Sequence, residues 1–151
     1  MLSITPFLWF DTEAEEAMNL YVSVFPNSKV ISINRAGDHV ASVEFELEGQ
    51  KFIGLNAGPV FKFNEAVSFF VSCETQEEID ELWSKLTAGG GEPGRCGWLK
   101  DRFGLSWQIV PKALRTFMSS RNPEASKRVM DALFTMNKLD VSGLERAYQA
   151  R

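Results

Sequence analysis

Val40 to Glu48 alternates strictly. Ala41, Val43, Phe45 and Leu47 take one side; Ser42, Glu44, Glu46 and Glu48 take the other. A period of two with one polar side predicts an antiparallel strand with one buried face and a wet outer face. Upstream, Met1 to Phe10 is an apolar, aromatic run and predicts a buried strand. Ala14, Ala17, Met18, Tyr21, Val22 and Phe25 then recur at helical spacing, with Pro26-Asn27 as the stop. Thr12 and Glu15 form a capping-box pattern at the start of that helix, and Glu13, Glu15 and Glu16 suit the positive end of its dipole. Lys29 to Ala36 predicts a strand, Gly37-Asp38-His39 a turn, and Phe52 to Ala57 a further strand after Gly49-Gln50.

The pattern then restarts. Ala66 to Ser72 is an apolar strand, Thr75 and Glu78 a second capping box, and Ile79, Leu82, Trp83 and Leu86 a second helical stripe ended by Gly89-Gly90-Gly91. Arg95 to Leu99 and Leu105 to Val110 predict a hairpin turning at Asp101-Arg102-Phe103-Gly104. The halves superpose at a spacing of 62 near their starts, where Phe7 falls on Phe69, Glu16 on Glu78 and Tyr21 on Trp83. At their ends the spacing is 52: Leu55 falls on Trp107, Asn56 on Gln108 and Pro59 on Pro111. This predicts a duplicated domain over residues 1–112, with halves of about 1–60 and 61–112 and a shorter second copy. Residues 113–151 read as a helical extension of the same domain. Asn122-Pro123 is an N-cap followed by a first-turn proline, and a short last helix begins near Asp140.

Composition narrows the function. Sixteen basic residues against 20 acidic leave a net charge of −4, which argues against a nucleic-acid partner. No uncharged run is long enough to span a membrane, and the apolar start has no basic flank and meets Asp11 early, so it does not read as a signal peptide. Cys73 and Cys96 are expected as reduced, inert thiols in a cytoplasmic protein. His39 is the single histidine, which leaves no Ser-His-Asp arrangement to build. The glycine-rich stretch Gly89–Gly94 follows a helix and lacks the lysine and Ser/Thr of a phosphate loop, so it reads as a plain loop.

Three segments carry a resemblance: Ile4-Thr5-Pro6-Phe7-Leu8-Trp9-Phe10, the run from Cys96 through Asp101-Arg102-Phe103-Gly104 to Pro111, and Met130 to Leu139 followed by Asp140 and Leu144. Together with the tandem halves they resemble the vicinal oxygen chelate superfamily of glyoxalases and bleomycin-resistance proteins, in its PhnB-like, demethylubiquinone 3-methyltransferase-like branch. The resemblance implies an α+β fold: two tandem βαβββ-type modules forming a cupped mixed sheet, plus C-terminal helices. It also implies that metal-dependent relatives place ligands on the first and last strands of each half. Those positions fall near Ile4 and Ala66 and on Asn56 and Gln108. Two aliphatic residues and two neutral amides do not make a site for a hard dication, so neither metal nor cofactor is expected.

The implied pocket is expected to use Asn56 and Gln108 as polar contacts, Phe10, Phe70 and Trp98 as walls, and Lys100 at its rim. Asn56 and Gln108 have a plainer alternative, hydrogen bonding to backbone. The aromatics, including Trp9 and Trp107, have core packing as theirs. Alternation requires Trp107 and Gln108 to face opposite sides, and it puts Leu8 with Phe10 and Trp9 opposite them. Arg102, at the hairpin tip, reads as part of a solvated turn. A methyltransferase of the usual doubly wound kind would need a glycine-rich first turn, where this chain has Asp11-Thr12-Glu13. The expected function is therefore metal-free small-molecule binding by a homodimer. The alternatives are a divergent metal-dependent lyase, isomerase or dioxygenase, and a dimeric interaction module with a vestigial cup.

Overall fold

The structure, a computed structural model, describes residues 1–150. The chain divides into two compact units, Met1–Phe63 and Asn64–Arg151. In the first, β1 (Phe7–Phe10) is followed by α1 (Ala14–Val24), β2 (Ser28–Ala36), β3 (His39–Leu47) and β4 (Gln50–Asn56). The sheet order is β1-β4-β3-β2, with β1 parallel to β4 and the other pairs antiparallel. This is the expected βαβββ module.

One side of this sheet carries Leu8, Phe10, Val43, Phe45, Leu47 and Phe52, all buried beneath the Ala14, Ala17, Met18 and Tyr21 side of α1. Gly54 permits the close approach: a Cβ there would lie 2.9 Å from Val43 Cγ2 and 3.5 Å from Ala14 Cβ. Phe45 stacks on its cross-strand partner Phe52 at 5.3 Å, and Tyr21 tilts against Phe45 at 6.0 Å. The β3–β4 hairpin turns at Glu48 (φ 48°) and Gly49 (φ 86°). Both central residues are left-handed, as a two-residue hairpin turn of matching twist requires.

Two expectations need correction. Met1, Leu2 and Ile4 are exposed and outside the sheet; the first strand begins only at Phe7. The Thr12 capping box does not form either. The α1 N-cap is Glu13, with no side-chain bond, and the first helical N–H is taken by a residue far along the chain, described below.

The second unit repeats the plan with β5 (Ser68–Cys73), α2 (Gln76–Thr87), β6 (Glu92–Pro93), β7 (Trp98–Lys100) and β8 (Ser106–Pro111), in sheet order β5-β8-β7-β6. It is shorter because β6 and β7 have two and three residues where β2 and β3 have nine each. Here the Thr75 cap forms: Thr75 Oγ1 accepts from Glu78 N at 3.2 Å, and Glu78 reaches back one residue beyond the cap to accept from Glu74 N at 2.8 Å, a variant of the capping box. Ile79, Leu82 and Leu86 of α2 bury against the Leu99, Trp107 and Ile109 side of the sheet.

Helices α3 (Lys112–Met118), α4 (Pro123–Leu133) and α5 (Val141–Gln149) complete this unit. The sequence pattern does not reveal α3, which has no buried residue of its own. Asn122 caps α4 by accepting from Glu124 N and Ala125 N. Val129, Leu133, Leu139 and Leu144 bury with Val110 of β8. Each such side chain contributes about 1.5–3 kcal/mol when fully buried. Gln76, at the start of α2, accepts from Val141 N at 2.8 Å and donates to Leu139 O at 3.0 Å, pinning the α4–α5 connection. Among the described residues, no helix is long and apolar enough to cross a membrane.

Candidate functional site

Strand register arranges side chains on the side of the second sheet turned away from α2. Phe70 pairs with Gln108, and Gln108 pairs with Trp98. Ser68 pairs with Ser106, and Ser106 with Lys100. Because residues i and i+2 share a face, these six form a grid of two rows: Phe70–Gln108–Trp98 and Ser68–Ser106–Lys100. Strand and residue spacing give it a footprint of roughly 10 by 7 Å. Phe70 is exposed, while Ser68, Gln108, Trp98 and Lys100 are half-buried. Gln108 Nε2 donates to Ser68 Oγ at 3.0 Å. Ser106 is buried, and among the described residues its hydroxyl has no hydrogen-bond partner. Lys100 is ion-paired with Glu65, just ahead of β5. Their hydrogen bond holds the lysine above and the carboxyl below the usual values. Four expected site residues, Phe70, Trp98, Lys100 and Gln108, thus share one face.

Asn56 and Phe10 lie elsewhere. Phe10 pairs with Asn56 on the α1 side of the first sheet, where Phe10 is 3% exposed and packs edge-on against Phe63 at 5.3 Å. Both ends of the Asn56 amide are spent on backbone: Oδ1 accepts from Ala14 N at 2.9 Å and Nδ2 donates to Val40 O at 3.0 Å. Asn56 therefore supplies the cap of α1 that Thr12 was expected to give. It borders a cavity of about 330 Å³ with Asp11, Thr12, Glu15, Asp38, His39 and Val40. Glu15 there is paired with Arg35 at 3.3 Å.

The reason Asn56 and Gln108 differ is parity. The helix side of the first sheet pairs Leu8 with Gly54; that of the second pairs Phe69 with Trp107. Matching these pairs gives a spacing between halves of 61 in the first strands and 53 in the last, odd numbers where the sequence pattern gives the even 62 and 52. A one-residue slip turns every side chain to the opposite face. The first-sheet counterpart of Gln108 is Leu55, and the corresponding grid is Trp9–Leu55–Ser42 over Phe7–Ile53–Glu44. Trp9 in that grid donates its indole N–H to Gly58 O at 2.9 Å. Ser68, Ser106 and Glu44 were not singled out from sequence, although counting two residues from Gln108 reaches Ser106.

The hairpin tip is not a solvated turn throughout. Asp101 is 2% exposed. Its Oδ1 accepts from Phe103 N at 2.9 Å and Leu105 N at 3.1 Å, and its Oδ2 accepts from Trp107 Nε1 at 3.0 Å. Trp107 does face away from Gln108, against Phe69 at 5.5 Å. Cys73 and Cys96 carry free thiols, and burial pushes Cys73 up to about 11, so it is protonated and unreactive at neutral pH.

The metal positions implied by the superfamily do not fit a divalent ion. Ile4 and Ala66 offer no donor atom, the Asn56 amide is used by backbone, and Gln108 is a neutral amide bonded to Ser68. Among the described residues, no group of three or more His, Cys, Asp or Glu is placed to hold a metal.

Residues 2–110 match the protein family described as 3-demethylubiquinone-9 3-methyltransferase. The chain belongs to that family. A PhnB protein from Bacillus cereus with the same description is 36% identical; the match covers 73% of this chain and 99% of that one, at a TM-score of 0.68. Two more distant structures share the fold. Pseudomonas aeruginosa PA1353 is 17% identical, with 74% of this chain and 98% of that one covered at a TM-score of 0.63. A glyoxalase-related enzyme from Fulvimarina pelagi is 14% identical, with 75% and 91% covered at 0.52. No curated protein matches the chain. The chain thus shares its fold with a glyoxalase-related enzyme, and the segment matched to the family ends at Val110, before α3, α4 and α5.

Proposed function

We propose that this member of the family binds a small molecule on the grid face of its second sheet without a divalent metal. The observation that carries this reading is the register row Phe70–Gln108–Trp98, an amide between two rings on three adjacent strands. Small-molecule sites are mostly apolar, with few polar groups that fix orientation. Gln108 has that role: one amide hydrogen is committed to Ser68, and its carbonyl oxygen is available to a ligand donor. Methyl transfer in the family description finds no support in this fold. The usual methyl-donor site lies at the strand ends of a doubly wound parallel sheet, whereas each sheet here has one parallel pair.

Exposed Met1, Leu2, Ile4 and Phe7 support a second copy of the chain as partner. Native mass spectrometry tests these points together. The expected result is a dimer, no added mass after incubation with zinc, nickel or manganese, and a co-purified or added organic ligand. Fragment titration monitored by amide shifts should then perturb Phe70, Trp98 and Gln108. One metal per chain would refute the metal-free reading, and fragment shifts confined to other strands would refute the site.

A further inference from the structure

The lower row of the grid carries a chemistry that the aromatic row does not. Ser106 is 1% exposed, and its hydroxyl is buried without a partner among the described residues. A buried hydroxyl left without a hydrogen bond is costly, and such a group calls for a partner that completes it. Register puts Ser68 on one flank of Ser106 and Lys100 on the other, with Gln108 two residues along the same strand. The Ser68 hydroxyl accepts from Gln108, so its own proton remains to be donated. The row therefore offers two hydroxyl donors and an ammonium, all suited to oxygen acceptors. The row above offers two flat apolar faces with an amide between them.

Lys100 is already neutralised by the carboxylate of Glu65. Both partners are accessible, with side-chain exposures of 36% and 59%. Exposed pairs of this kind contribute little to stability.

We propose that this face takes a flat aromatic anion, its rings on the Phe70–Gln108–Trp98 row and its carboxylate on Ser106 and Lys100, and that Glu65 occupies the anion position of Lys100 until the ligand displaces it. The inference rests on the small-molecule reading above and adds the ligand class and an internal competitor. A neutral aromatic would leave the ammonium to Glu65 and the Ser106 hydroxyl unmade. A non-aromatic anion would forgo the ring row.

The test uses the full-length protein and two isosteric probes, 2-naphthoate and 2-naphthamide, titrated by calorimetry with amide shifts as a second readout. Glu65→Gln should tighten naphthoate at least threefold and leave naphthamide within twofold. Lys100→Met should weaken naphthoate at least fivefold, Lys100→Arg should restore it, and Ser106→Ala should weaken it threefold or more. In the Glu65→Gln/Lys100→Met double variant the tightening should vanish. If Glu65→Gln leaves naphthoate unchanged while both probes still shift Phe70, Trp98 and Gln108, the anion proposal falls and the small-molecule reading stands. If neither probe shifts those residues, both fall. All these variants but Ser106→Ala alter accessible side chains, and Ser106→Cys serves as a second test if Ser106→Ala folds poorly.

Discussion

Asp101→Asn should destabilise the protein by about 3 kcal/mol, and about half of that cost should depend on Trp107. The carboxylate is 2% exposed and accepts from two backbone N–H groups through one oxygen and from the Trp107 indole through the other. Asparagine keeps the shape. If its carbonyl serves Phe103 N and Leu105 N, its NH2 must face the indole N–H, donor against donor. A hydrogen bond to a charged group contributes about 1.5–3 kcal/mol, and a buried donor left unpaired costs about 1–3 kcal/mol. Their sum, reduced for relaxation, gives the estimate. At about 2–4 °C per kcal/mol for a chain of this size, Tm should fall by roughly 6–12 °C. Trp107→Phe removes the opposing donor, so Asp101→Asn should cost about 1–2 kcal/mol less in that background. The assay is urea unfolding of the four-member cycle by far-UV circular dichroism, because Trp107→Phe changes fluorescence. A coupling below about 0.5 kcal/mol, the size seen for independent sites, would refute the claim that Asp101 acts through the indole.

Other outcomes follow from single contacts. Asn56→Ala should lower stability by about 1–2 kcal/mol with an unchanged urea m-value, since it uncaps α1 and strands Val40 O; Thr12→Ala should cost under about 0.5 kcal/mol. Gln76→Ala should speed amide exchange in α5 far more than in α2, because its fork holds Leu139 O and Val141 N. A thiol reagent at pH 8 should label Cys96 before Cys73, the half-buried thiol before the fully buried one. Burial, helped by Glu78, raises Cys73 in the fold from 9.0 to about 11. The folded state therefore holds that proton more tightly, and the stabilisation present below pH 9 is lost as pH rises toward 11. Cys73→Ala should flatten the fall in urea midpoint across that window, and an equal slope in both proteins would contradict the assignment.

Much of this fold is legible in the sequence because its strongest signals are local. The alternation of Val40–Glu48, the Thr75–Glu78 box and Asn122-Pro123 each describe a few adjacent residues whose backbone needs are met nearby. The α1 cap was not legible for the opposite reason: the acceptor for Ala14 N comes from Asn56, 42 residues along the chain at the far end of the same module. The buried role of Asp101 was hidden by its neighbours, since Lys100-Asp101-Arg102 looks like a hydrated tip until Trp107 folds back onto it. The site residues split along the same line. Trp98, Lys100 and Gln108 share one face because the hairpin fixes their mutual register, and Phe70 joins them through the parallel pairing of β5 with β8. Asn56 rests on the last-strand position that the resemblance implies, and Phe10 on its place among the aromatics of the implied cup; neither signal carries the parity of its strand, and a one-residue slip inverts a side chain.

Parity also explains how two similar modules come to present different chemistry. The helix sides of both sheets are constrained by packing, so Leu8, Phe10, Val43 and Phe45 answer to α1 as Leu99, Trp107 and Ile109 answer to α2. The opposite faces carry no such duty. In the first module that face holds Trp9, Leu55, Ser42, Phe7, Ile53 and Glu44; in the second the same grid positions hold Phe70, Gln108, Trp98, Ser68, Ser106 and Lys100. An acid stands where the second module has a base, and isoleucine stands where it has a buried, unpartnered serine. The second grid is also built on the shorter strands, β7 having three residues. Two-residue and three-residue strands hold little order by themselves. The buried Asp101 supplies what the ladder lacks, tying the turn to Trp107 and so fixing the register of Trp98 and Lys100 against Ser106 and Gln108. On this reasoning Asp101→Asn should blunt the naphthoate–naphthamide difference even at temperatures where the variant is fully folded.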